Sequence, residues 1–118
     1  MPYMLLIMEP RGQRLERTDA EGRAVYDRML RFGDRLRERG VLIAAESLKS
    51  DNDATRVQVR GGRPALVDGP FAEAKEMIGG FYLLACDTTA QALEIARECP
   101  AAEWASVEVR ALAPCYET

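Results

Sequence analysis

The chain has 118 residues, 47% of them hydrophobic and 30% charged, a size and balance that fit one domain across 1–118 with its own core and exclude a disordered chain. Sixteen Lys and Arg stand against 19 Asp and Glu, net −3, without the basic excess of a protein that binds nucleic acid directly. No apolar run approaches the roughly 18 residues of a membrane span, and three widely spaced cysteines, Cys86, Cys99 and Cys115, without a CxxC pair, read as free thiols of a reducing, cytoplasmic setting.

Residues 3–8 form a continuous apolar run followed by Glu9 and Pro10, which reads as a first strand covered on both faces and not as a signal peptide. Residues 9–17, polar and carrying Pro10 and Gly12, read as a loop. Thr18-Asp19-Ala20-Glu21 has the pattern of a capping box, and Val25, Met29, Phe32 and Leu36 then recur at helical spacing. Gly33 is a weak point of about 1 kcal/mol relative to alanine, and Gly40 is placed to stop the helix. A second strand is expected over 41–48 and a turn over 49–53.

Val57 and Val59 alternate with Arg56, Gln58 and Arg60, and Gly61-Gly62 signals a hairpin whose returning strand covers 64–67. Asp68-Gly69-Pro70-Phe71 is a tight turn, and 72–77 a helical turn or ordered loop. Gly79-Gly80 reads as a turn before another apolar strand over 81–86. Thr88 to Gln91 repeats the capping box ahead of a helix with Ala92, Ile95, Ala96 and Cys99 on its inner face, ended by Pro100. The last strand is expected over 107–112. The fold class is therefore α+β, on the split βαβ plan of ferredoxin-like folds with a hairpin inserted.

Two helices cover one face of a four-stranded sheet, yet 3–8 and 81–86 are apolar on both sides. The second face calls for a cover, and a second copy of the chain related by a two-fold axis is the simplest, giving a dimeric α+β barrel.

The segment Asp68-Gly69-Pro70-Phe71-Ala72-Glu73-Ala74-Lys75-Glu76-Met77-Ile78-Gly79-Gly80-Phe81-Tyr82 closely resembles the signature of the YCII-related family, in its DGPF branch. The opening Tyr3-Met4-Leu5-Leu6-Ile7, the stretch 90–100 ending Glu98-Cys99-Pro100, and Val107-Glu108-Val109-Arg110 resemble that family's first strand, second helix and last strand. The resemblance implies the same dimeric barrel. Some relatives use a His–Asp pair, a dehydrochlorinase being known among them, whereas this chain has no histidine, so a histidine-based mechanism is not carried over. The resemblance to DGPF proteins encoded beside extracytoplasmic-function sigma factors implies a link to transcriptional regulation.

Asp68 is the candidate catalytic carboxylate, as a general base beside the 68–80 loop; the competing reading is a turn starter that bonds nearby backbone N–H groups. Glu73 and Lys75 follow it and are candidate ligand contacts, against a solvated charged turn. Glu46 interrupts an apolar strand, Arg56 is a candidate counter-charge for it, and Tyr82 a candidate pocket hydroxyl, each also explained as an outward or core side chain. No paired cysteines, histidines or dense carboxylates suggest a metal, and no cofactor is implied. Two functional readings follow: a small-molecule binder or cofactor-independent enzyme using Asp68, or a regulatory protein that partners a sigma factor.

Overall fold

The computed structural model describes residues 2–118. Strand β1 (Tyr3–Pro10) leads through a single 3-10 turn at Gln13–Glu16 into helix α1 (Asp19–Glu38). Then come β2 (Leu42–Ser47), the hairpin β3 (Thr55–Arg60) and β4 (Arg63–Asp68), β5 (Glu76–Leu84), helix α2 (Thr89–Glu98) and β6 (Ser106–Ala111). The order strand, helix, strand, hairpin, strand, helix, strand is the expected one. Four strands form an antiparallel sheet in the order β2-β5-β1-β6, and β3 and β4 form a separate two-stranded sheet.

Both helices begin as their sequences dictate. The Thr18 hydroxyl accepts from the Glu21 N–H at 3.1 Å while the Glu21 carboxylate accepts from the Thr18 N–H at 2.8 Å, and Thr88 with Gln91 repeats the exchange ahead of α2. Each pair satisfies N–H groups that the first helical turn leaves free.

The core forms on one face of the four-stranded sheet. Tyr3, Leu5 and Ile7 of β1 and Tyr82 and Leu84 of β5 meet Phe32 and Leu36 of α1 and Ala92, Ile95 and Ala96 of α2. Leu5, Phe32, Leu36 and Leu84 are the largest fully buried side chains, each worth about 2 kcal/mol of apolar burial. Phe32 meets Tyr82 edge to face, centroids 5.2 Å apart. On the opposite face Met4 and Leu6 of β1 pair with Leu83 and Phe81 of β5. These four are half-buried, and both helices serve the other side.

Two segments differ from expectation. Gly79-Gly80 does not turn: β5 begins at Glu76 and runs through both glycines. A Cβ on Gly80 would lie 2.8 Å from the Glu46 carbonyl oxygen of β2, and one on Gly79 would lie 1.8 Å from the Glu9 carboxylate, so both are glycine because other groups approach closely. Residues 9–10 continue β1 instead of opening a loop. Gly33 is buried against Tyr82, whose Cε1 would stand 3.5 Å from a Cβ there, an ordinary contact distance, so the packing itself does not demand glycine.

Candidate functional site

The period-two alternation that buries Tyr3, Leu5 and Ile7 carries one position further and places Glu9 on the core side, 6% exposed. A buried carboxylate needs a partner. The 3-10 turn after β1 folds Arg14 back onto it: Nε lies 2.9 Å from Oε2 and Nη2 2.6 Å from Oε1. This two-point ion pair sits against Gly79, where a side chain would collide with it.

The pair forms part of the wall of a cavity of about 300 Å³ between α1 and the β2–β5 side of the sheet. The apolar lining includes Ile7, Val25, Met29, Leu30 and Leu42, with Trp104 as an aromatic wall. Val25 and Met29 belong to the helical stripe that the sequence marks as core-facing, but they are half-buried and line open space while Phe32 and Leu36 close the core. The volume is at the lower end of the range for small-molecule sites.

Arg17 also lines the cavity, its guanidinium 5.8 Å from the centre of the Trp104 ring. Arg28 stands 5.3 Å from the same ring and pairs with Glu103 at 2.6 Å. Arg37 pairs with Asp34 at 3.0 Å. Tyr82 donates its hydroxyl proton to the Met29 carbonyl at 2.7 Å, and burial pushes its phenol well above the ordinary range, so it is a neutral anchor at physiological pH. Burial likewise pushes the Cys99 thiol up to about 11, far from the thiolate form a nucleophile needs.

Of the residues singled out in the sequence, Tyr82 lines this cavity from the core face; Glu46 borders it along β2, but its side chain stands on the other sheet face beside its register partner Phe81; Asp68, Arg56, Glu73 and Lys75 lie outside its lining. Asp68 accepts from the Thr55 hydroxyl at 3.0 Å, its register partner across the hairpin. Arg56 pairs with Glu73 at 2.9 Å, not with Glu46, and its guanidinium lies 3.6 Å from the centre of the Phe71 ring. The Glu73 backbone N–H and the Arg56 guanidinium together hold the Glu73 carboxyl below its ordinary range. Lys75 contributes its carbonyl, which accepts from the Arg11 N–H at 3.0 Å.

This second cluster is tied down by Arg11 and Asp51. The guanidinium donates to both carboxylate oxygens of Asp51, 2.8 Å at Oδ1, and its Nε donates to the Ala74 carbonyl at 2.7 Å. The Arg11 guanidinium, helped by the Phe71 N–H, lowers the Asp51 carboxyl from its ordinary value near 3.8. A depressed folded-state pKa gives stability that is full above the unfolded value and is lost as pH falls through the folded one. The stability difference between wild type and Asp51→Asn, measured by urea denaturation, is therefore expected to be largest at neutral pH and to shrink as pH falls to about 3.

Glu9, Arg14 and Arg17 were not among the residues the sequence singled out. The odd-numbered alternation in β1 is the signal for Glu9; a short polar turn gives none for the two arginines.

A family model described as the YCII-related domain matches residues 1–115. An uncharacterized protein of Rhizobium meliloti (strain 1021) is 38% identical over 78 residues, a match covering 64% of this chain and 63% of that protein. Among the described residues, no helix is long and apolar enough to cross a membrane.

Proposed function

Because the chain belongs to the YCII-related domain family, whose DGPF signature is taken up here by hydrogen bonds to residues 51–55, we propose that its function lies elsewhere, as a small-molecule binder whose ligand occupies the cavity under α1. The observation that carries the reading is the pair of buried Glu9 with half-buried Arg14 in the wall of a 300 Å³ space that has both apolar and charged lining. A buried ion pair is a poor way to gain stability, since desolvation offsets most of its attraction. Placed in a pocket, it supplies oriented donors and acceptors to a ligand. This reading locates the ligand at the cavity and not beside Asp68.

The test is mass spectrometry of small molecules released by denaturing the protein purified from its native host. Wild type is expected to release a compound that Val25→Trp and Leu30→Trp, which fill the cavity, do not carry. A folded pair of variants with the same load as wild type, or no load in any of the three, would overturn the reading.

The same proposal includes a homodimer with a ferredoxin-like barrel. The strand order β2-β5-β1-β6 supports that topology, and the sheet face bearing Met4, Leu6, Phe81 and Leu83 supports a second copy as its cover. Light scattering is expected to give twice the 13.1 kDa chain mass, falling to the monomer in Leu6→Glu. A wild-type monomer would remove the dimer from the account.

A further inference from the structure

The cavity holds three arginines, and they are not equivalent. Arg14 is neutralised by Glu9 and Arg37 by Asp34. Arg17 has no carboxylate within 4.0 Å among the described residues. It is half-buried and held over the face of Trp104, a contact that positions the guanidinium without cancelling its charge or using its N–H donors. Arg14 and Arg17 also line a second, adjoining cavity with Arg23 and Asp19, so this end of the space carries more positive than negative charge.

The rest of the space has the opposite character. Val25, Met29 and Leu30 supply an apolar wall. With Arg14 and Arg37 already paired to carboxylates, Arg17 is the one of the three arginines left to take a ligand's negative charge.

Resting on the small-molecule reading above, we propose that the ligand is an amphiphilic monocarboxylate: an apolar, ring-sized body against α1 with one carboxylate head on Arg17. The planar guanidinium presents two parallel donors that match a carboxylate in a way a lysine does not. Arg17 is a ligand-binding residue in this account, and Trp104 positions it.

The test is isothermal titration calorimetry of wild type and Arg17→Gln with 3-phenylpropanoate and its neutral counterpart 3-phenylpropanamide. Wild type is expected to bind the acid roughly tenfold more tightly than the amide, the size of one charge-assisted hydrogen-bonded contact. Arg17→Gln is expected to erase that preference and leave the amide affinity unchanged, which also shows that the variant is folded. Equal binding of acid and amide by wild type, or a preference that survives Arg17→Gln, would overturn the carboxylate assignment and leave the cavity reading standing. Failure of wild type to bind either compound would overturn both.

Discussion

Gly69→Ala is expected to loosen the hairpin base by about 3 kcal/mol, read as a fall on the order of 100-fold in hydrogen-exchange protection of the residue 69 amide. A Cβ at Gly69 would lie 1.9 Å from the Asp51 carbonyl oxygen and 3.0 Å from its carbon. These are backbone atoms with no rotamer to yield, so the 51–54 turn or the end of β4 has to move. Either movement pulls apart the bond from the Gly69 N–H to the Ala54 carbonyl, 2.8 Å long. It also separates Asp51 from the Phe71 N–H and strains the Arg11 clamp. A change in protection below about twofold would show that this packing is not held in solution.

Arg14→Met is expected to cost about 2 kcal/mol of global stability in urea denaturation at neutral pH, because it leaves the Glu9 carboxylate, 6% exposed, without its partner; the half-buried position of Arg14 and the bordering cavity hold the cost below that of a fully buried pair. Glu9 lies on β1, a central strand of the sheet, so the cost falls on the whole fold. Glu9→Gln combined with Arg14→Met removes the stranded charge and is expected to recover part of the loss, giving a coupling of more than about 1 kcal/mol in the double-mutant cycle. A loss below about 0.5 kcal/mol for Arg14→Met would mean that Glu9 is hydrated.

What the sequence made legible was set by local chemistry. The two capping boxes at Thr18 and Thr88 need only residues three apart, and both form. The alternation in 55–60 and the Gly61-Gly62 turn likewise specify the hairpin, with Val57 facing Leu66 and Val59 facing Pro64. The misread positions answer to distant partners. Gly79 and Gly80 have the local look of a turn, but their reasons are the Glu9 carboxylate and the β2 backbone, 70 and 34 positions away.

The site follows the same division. Tyr82 stood out within an apolar strand and does line the cavity, whereas Glu46, which stood out in the same way, turns its side chain to the other sheet face beside Phe81. By charge alone Arg56 reads as a counter-charge for Glu46, but the hairpin is a sheet of its own, and its base delivers Arg56 to Glu73. Val25 and Met29 share the periodicity of Phe32 and Leu36, and nothing in that periodicity distinguishes a residue that closes a core from one that borders a void. Glu9 was readable by extending the alternation of Tyr3, Leu5 and Ile7 by one step; the unbroken apolar run over 3–8 concealed it.

The proposal that the cavity under α1 is the working part of the molecule is tested most directly by two-dimensional 1H–15N NMR of the labelled protein titrated with 3-phenylpropanoate. Saturable shifts are predicted at Met29, Gly33, Gly79 and Trp104, around the cavity, with Thr55, Phe71 and Glu73 undisturbed. Shifts centred on Asp68 and its neighbours, or none that saturate, would contradict it.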